Sequence, residues 1–579
     1  MDPNRSRSHQ RLRVPEAVHP TRISSQRLGF VQFFLCSLLA TVAFQAAQLS
    51  VFHRAALVKR ATGQYRLLIE IPPLRGAIQD RKGEGLAVNL KVPSLYAVPR
   101  LLSKEAKERL VQALAERLAL PPSFIEERLG RDKSFVWIKR RITSDEVKEI
   151  EALKNPALGF LYEPKRFYPH GTLLANVLGF TDVDGRGLEG IERNMDTVLR
   201  GKAGERLTRR DALGREVRAF EERSIPALDG HRVTLTIDRY LQYVTERALE
   251  RAFRQWKAKG AMAVLMNPQT GEILALASRP TFDPNSPGDS PFENYRNRPL
   301  TDMFEPGSVF KIVTAAALLN ERKINMTEKI NCEQGAWTYG SKTLHDVHKY
   351  GWLTFPEVIV KSSNIGTVKL ASRLGPATFY RYTQRFGFSH RTGIDLEGEA
   401  PGFIRRPKYW SKTSAYNIPI GQEVMVTTLQ LARAISGIAN GGHLVKPYVI
   451  DRVEDLHGVT LRSHEEGRGE TFLEPAVVEV LKETLWRATV EGTGKKAQVK
   501  GIPVAGKTGT AQKVLEGRRG FSHSNFISSF IGFAPADHPL LSLAVVLDDP
   551  KPLYYGGTVA APVFSEVMEA ALAYLGYAG

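Results

Sequence analysis

From Leu28 to Phe52 the chain carries no charged side chain, and Phe30-Val31-Gln32-Phe33-Phe34-Leu35-Cys36 opens a largely apolar core that runs to Phe44. A helix of that length, at about 1.5 Å per residue, covers about 30 Å of hydrocarbon. The run is apolar nearly all round, which suits a bilayer-spanning helix better than one lying on a membrane surface. A cleaved signal would show a shorter apolar region followed by a small-x-small site. No clean Ala-x-Ala is present, and Leu35 before Cys36 argues against lipoprotein processing. Residues 1–27 hold six arginines against Asp2 and Glu16, which favours the inside for the tail, although Arg54, Lys59 and Arg60 follow on the far side. The expected plan is a cytoplasmic tail over 1–27, an uncleaved anchor over 28–52 and a folded region beyond it.

A chain of 579 residues exceeds one ordinary domain. The formal net charge of +19 invites a nucleic-acid reading, but the basic residues are spread over many segments without a recognition motif. An anionic membrane or wall polymer accounts for the charge equally well. Two cysteines, Cys36 and Cys332, are too few for a disulfide framework and leave the compartment open.

Tyr65–Ile71 reads as a strand, Arg75–Gly83 as a charged glycine-containing loop and Leu86–Asn89 as a further strand. Residues 102–154 read as helical, with Leu110, Leu114 and Leu118 on one stripe and a capping box at Thr143–Glu146. Residues 200–223, dense in Arg and Glu, read as an exposed ribbon. A second domain starts near residue 226 with the strand Arg232–Ile237 and an amphipathic helix through Leu241, Val244, Ala248, Leu249, Ala252, Phe253 and Trp256. Ala261–Met266 and Glu272–Ala277 flank Asn267-Pro268-Gln269-Thr270-Gly271, a hairpin signal. Helix-rich sequence follows to about residue 440, then strands at 504–510, 526–533 and 541–547 and a closing apolar helix over 563–575. The fold class expected is α+β: an antiparallel sheet with helices and an inserted helical region.

The chemistry is carried by three motifs. Glu305-Pro306-Gly307-Ser308-Val309-Phe310-Lys311 leads into the apolar run Ile312–Leu319, so Ser308 and Lys311 share one face at the mouth of a buried helix. Serine needs a base to become a nucleophile, and a lysine made neutral by burial or a second cation can serve. Ser362-Ser363-Asn364 and Lys507-Thr508-Gly509-Thr510 follow in order. S-x-x-K, S-x-N and K-T-G together form the serine-acylating constellation of penicillin-binding proteins and class A β-lactamases. In this reading Ser308 is the nucleophile, Lys311 the general base, Ser362 a proton relay and Asn364 a holder of Lys311 and a substrate amide. Lys507 is a second cation that keeps Lys311 neutral and attracts a carboxylate. Thr508 and Thr510 suit the same carboxylate, and the N–H groups of Ser308 and of Thr510, beside Gly509, suit an oxyanion. His345-Asp346-Val347-His348 with Cys332 offers metal-ligand types without ligand spacing, so a loop histidine pair is expected and no metal.

Nearly all of the chain resembles a class B penicillin-binding protein. The pedestal signature of that family is matched by Arg75-Gly76, Ile78, Asp80-Arg81 and Gly83, by Arg166-Phe167-Tyr168-Pro169 and Ala175–Gly179, and by Gly187–Glu192. Tyr416-Asn417 with Gly421-Gln422 resembles a further family element, and Tyr554-Tyr555-Gly556-Gly557 with Ala561–Phe564 resembles the division-specific branch. The resemblance implies a β-lactamase-like transpeptidase domain over 226–579 on an elongated pedestal over 53–225, with one transmembrane helix. It implies a D,D-transpeptidase acting on stem pentapeptides of nascent peptidoglycan outside the inner membrane, at the division septum, with β-lactams as inhibitors and no cofactor. It also implies a SEDS-type, FtsW-like glycosyltransferase and other division-complex membrane proteins as partners.

The competing readings are a D,D-carboxypeptidase or β-lactamase, the elongation-specific sister transpeptidase, and a non-catalytic divisome scaffold. No convincing Glu-x-x-Leu-Asn lies between Asn364 and Lys507, which argues against a class A β-lactamase. The intact motifs argue against a scaffold.

Overall fold

The computed structural model describes residues 25–55, 57–59, 66–133, 135–210, 216–217, 223–339, 342–465, 467, 469–514 and 521–577. The chain divides into two compact units, residues 1–69 with 205–224 and residues 70–204 with 225–579. In the first unit the uncharged run forms the helix Ser25–Ala47 and a wider turn, Gln48–Phe52. The 26 residues Gln26–Val51 are long and apolar enough to cross a membrane, and none of that stretch is buried against protein. The basic tail lies outside the described residues except for Ser25–Arg27. The expected ribbon contains paired strands, Arg209 opposite Val217 and Arg210 opposite Glu216. Its residues 211–215 and 218–222 lie outside the described residues.

The second unit contains a five-stranded antiparallel sheet, whose strand Ala505–Val514 carries Lys507–Thr510, while Ser308 and Asn364 lie at the starts of helices. Its elements are helix α1 (Arg239–Gln255), strands β1 (Gly260–Met266) and β2 (Ile273–Arg279), helices α2 (Lys311–Asn320), α3 (Asn364–Ala371), α4 (Thr428–Ala439) and α5 (Pro475–Val490), strands β3 (Ala505–Val514), β4 (Phe521–Ala534) and β5 (Leu541–Asp548), and helix α6 (Ala561–Tyr574). The strand order is β2-β1-β5-β4-β3, which leaves β3, the strand of Lys507–Thr510, at one edge. Because strand side chains alternate between faces, Ala261, Ala263 and Leu265 pack with Leu241, Leu249, Phe564 and Met568 of α1 and α6. Met262, Val264 and Met266 pack on the opposite face with the cores of α2 and α4. The helix α2 is apolar on every side, and Ile312–Leu318 is buried throughout.

Three expectations are corrected. The segment 102–154 is not helical throughout: Val136–Lys139 is a strand between the helices Lys104–Leu118, Pro122–Gly130 and Ser144–Glu151. Val136 and Ile138 alternate into the core, and that period of two prevails over the helical neighbourhood. The strand expected over 86–89 extends over Gly85–Ala97 because Leu158–Phe167 pairs along its length, Val88 opposite Phe167 and Ala97 opposite Leu158. The helix-rich insert also holds strand pairs, Lys329–Asn331 with Trp352–Thr354, Ala336–Tyr339 with Lys342–His345, and Phe403–Ile404 with Val424–Met425. The capping box is formed at Thr143 and Glu146, and the hairpin of β1 and β2 pairs Val264 with Leu276.

The pedestal residues of this unit share a seven-stranded sheet with the later chain. Ile78 pairs in parallel with Val233, whose other neighbour is Val453. Beneath the sheet Glu192, fully buried, accepts from Arg75 Nε at 2.6 Å and from Arg166 Nε at 2.6 Å. Arg75 also donates to Asp196 at 2.7 Å and to the carbonyls of Gly185 and Glu192. Removing one partner of such a network strands the others without compensation. Glu192→Ala is therefore expected to lower unfolding stability by about 3–5 kcal/mol in chemical denaturation, with Glu192→Gln intermediate.

Candidate active site

The chain enters the site through Pro306 and Gly307. Gly307–Phe310 forms a tight 3₁₀ turn that runs into α2, so Ser308 sits in that turn rather than in α-helix proper. Val309, Phe310 and Lys311 are fully buried while Ser308 is part-exposed, which presents one polar side chain from an apolar turn. Gly307 has φ +57°, and a Cβ there would lie 2.7 Å from the carbonyl of Thr510 on β3. Its N–H donates to the Gly421 carbonyl at 3.0 Å. A Cβ on Gly421, itself at φ +81°, would meet the Gly307 carbonyl at 2.1 Å. The turn is thus clamped between an edge strand and a glycine that leaves no room for a side chain.

Lys311, Ser362, Asn364 and Lys507 come together through direct hydrogen bonds. Lys311 Nζ donates to the Ser362 carbonyl at 2.7 Å, to Ser362 Oγ at 3.3 Å and to Asn364 Oδ1 at 2.8 Å. Lys507 Nζ donates to the same Ser362 Oγ at 3.0 Å and to the Thr508 carbonyl at 3.2 Å. Both lysines have no exposed surface. Burial lowers Lys311 to about 7, against smaller upward contributions from Asp346 and Cys332. Burial, then the nearby Lys311, holds Lys507 well below the ordinary lysine value. Of the two causes expected for a neutral Lys311, burial or a second cation, burial is the one that lowers its pKa. Ser362 itself sits at φ +58°, a strained conformation for a residue with a side chain, and turns both its carbonyl and its hydroxyl toward Lys311.

Asp346, not assigned a role from sequence, holds this arrangement. Its carboxylate accepts from Ser363 Oγ at 2.6 Å and from the N–H groups of Asn364 and Ile365, which caps α3. The adjacent His345 carbonyl accepts from Asn364 Nδ2 at 2.9 Å. The segment weighed as a metal motif serves instead as a bracket for Asn364. Such a link across the fold leaves no local signature. On β3, Thr508 Oγ1 lies 2.6 Å from Thr493 Oγ1, and Thr510 Oγ1 accepts from Gly556 N at 3.1 Å, which leaves the Thr510 hydroxyl free to donate. Thr493 and Gly556 are thus further parts of the site. A Cβ on Gly509 would lie 2.2 Å from Ser529 Oγ, so that position has to be bare.

Glu305, just ahead of the turn, accepts from Glu423 N at 2.8 Å, and burial pushes it up to about 7. This tie and the Gly307–Gly421 bond fix the 421–423 segment beside the nucleophile turn.

A part-exposed serine on a buried turn, a buried lysine pair and an edge strand define a serine acyltransferase of the penicillin-recognising fold. Residues 261–569 match the penicillin-binding protein transpeptidase domain, and residues 70–235 match the penicillin-binding protein dimerisation domain. The FtsI peptidoglycan D,D-transpeptidase of Escherichia coli is 33% identical over 93% of this chain and 90% of its own length. The probable peptidoglycan D,D-transpeptidase PenA of Neisseria meningitidis is 32% identical over 97% of this chain and 95% of its own. The crystal structure of penicillin-binding protein 3 from Mycobacterium tuberculosis with aztreonam superposes with a TM-score of 0.68 at 27% identity, covering 88% of this chain and 97% of that one. The chain belongs to the class B penicillin-binding proteins and is a peptidoglycan D,D-transpeptidase.

Gly421→Ala drives a methyl group into the backbone of the nucleophile turn. It is expected to lower the acylation rate by a labelled penicillin by at least about 10²-fold, while the protein keeps its cooperative unfolding transition.

Proposed function

We propose that Ser308 attacks the penultimate D-Ala carbonyl of a stem pentapeptide, with Lys311 taking its proton. The observation that carries this is the fully buried Lys311 amine, whose pKa burial lowers to about 7, one turn from a part-exposed serine. The Ser308 N–H and the N–H of Thr510 stabilise the oxyanion, a contribution of about 10²–10³-fold per donor. Ser362 Oγ, in reach of both lysine amines, relays the proton to the departing D-Ala nitrogen. Lys507, Thr508 and Thr510 receive the terminal carboxylate, and Asn364 holds Lys311 and the substrate amide. The C–N bond to the terminal D-Ala breaks and an acyl-Ser308 ester forms. An amine of a neighbouring stem then attacks that ester, restoring the serine and completing the cross-link. A β-lactam follows the same first step and remains attached.

The cellular reading is a protein anchored in the inner membrane by 28–52, with the tail 1–27 inside, the pedestal 53–225 and the transpeptidase domain 226–579 outside. It acts in septal wall synthesis beside an FtsW-like glycosyltransferase. The likeness to FtsI over almost the whole chain supports it, as does the one helix among the described residues that is long and apolar enough to cross a membrane. Exposing the purified protein to benzylpenicillin should add the mass of one drug molecule, and Ser308→Ala should add none. A folded wild-type protein that stays unmodified would overturn the assignment of Ser308.

A further inference from the structure

A concave groove on the transpeptidase domain lies apart from the lysine pair. It has a volume of about 720 Å³ and is walled by Tyr380, His390, Phe403, Arg405, Arg406 and Tyr409. Phe403 and Tyr409 leave 53% and 64% of their surface open, unusually much for large rings on a formed groove. The segment Phe403–Lys412 carries Arg405, Arg406, Lys408 and Lys412 and no acidic residue. Among the described residues no carboxylate forms an ion pair with any of the four. Lys408 instead lies over the Tyr409 ring at 4.7 Å.

The groove is tied to the active site through backbone. Phe403 and Ile404 pair with Met425 and Val424. One residue earlier, Glu423 donates its N–H to Glu305, three residues ahead of Ser308. In the other direction the chain runs through Ser414–Asn417, where the Tyr416 ring lies tilted by 36° against Tyr339, 3.8 Å between centroids, on the hairpin whose His345 carbonyl holds Asn364. A polymer seated in the groove would therefore be held against an element that frames the reaction centre.

We infer that this groove is a peptidoglycan-strand subsite, in which Phe403 and Tyr409 take sugar faces and Arg405 and Arg406 take stem-peptide carboxylates. The inference rests on the peptidoglycan transpeptidase activity and names where the strand lies during it. Sugar rings present apolar C–H faces that pack on aromatic rings. Guanidinium groups bind carboxylates through paired N–H donors. An uncrosslinked strand carries both features at short repeat, and the groove's one-signed charge complements it.

The test follows retention of full-length protein in detergent on purified, uncrosslinked peptidoglycan. Wild type, Arg405→Glu/Arg406→Glu and Tyr409→Ala are first labelled with a fluorescent penicillin. Only the adduct is measured, so unfolded molecules are not counted, and Ser308 is already blocked. The double variant is expected to lose about tenfold in affinity and Tyr409→Ala a smaller factor, with wild-type retention falling as salt rises. Equal retention of wild type and both variants would overturn the groove. So would a loss confined to anionic phospholipid vesicles, which would mark a membrane contact. Failure to form any adduct would instead refute the assignment of Ser308, a result separate from either.

Discussion

Two lysine amines with no exposed surface meet at one serine hydroxyl, and most of the surrounding architecture answers to that contact. A buried ammonium is costly and two side by side are prohibitive, so burial forces at least one of Lys311 and Lys507 to be neutral near pH 7. A neutral Lys311 amine, one turn from Ser308, is what the proposed acyl transfer needs. Ser362 holds the pair from a left-handed backbone conformation, and Asp346 caps α3 from the next residues on, accepting from the N–H groups of Asn364 and Ile365. The site is costly to keep folded, and an apolar helix, a sheet edge and two glycine contacts all bear on its geometry.

The edge position of β3 has a second consequence. An interior strand would have both rows of backbone groups paired, whereas among the described residues β3 has a strand neighbour only in β4. The free row offers an extended peptide a strand-like partner beside Lys507–Thr510, the residues proposed to take the terminal carboxylate. On the far side of the nucleophile turn, the 403–425 segment links the aromatic and basic groove to the same turn. Donor peptide and glycan strand would thus approach from different elements. The sheet shared by Ile78, Val233 and Val453 ties pedestal residues to the catalytic half through hydrogen bonds rather than through a linker.

The motifs were legible because chemistry restricts residue type: a nucleophile, a base one turn on and a cation-threonine strand leave few substitutes. The five sheet strands and the helices α1 and α6 were legible from period and turn residues, as at Asn267–Gly271. Strand Val136–Lys139 was not, because four residues are too few to establish a period beside long helices. Helix α5 is not legible either, because its Val477, Val478 and Val480 are β-branched residues that weaken a helical signal. Asp346 and Thr493 were beyond reach for another reason. Each acts on a residue far along the chain through a contact that only the folded molecule creates. The low pKa of Lys311 was legible as a consequence of burial or of a second cation, and of the two it is burial that lowers it.

The most direct test of this account is the pH dependence of the second-order acylation rate with a labelled penicillin between about pH 5 and pH 9. Lys311 acts as a base only when neutral, and its pKa is lowered to about 7 from 10.5. The rate should therefore fall about tenfold per unit below that point and level off above it. A rate that is flat from the acid end, or that keeps climbing past about pH 9 toward the ordinary lysine range, would contradict a buried neutral Lys311 as the base.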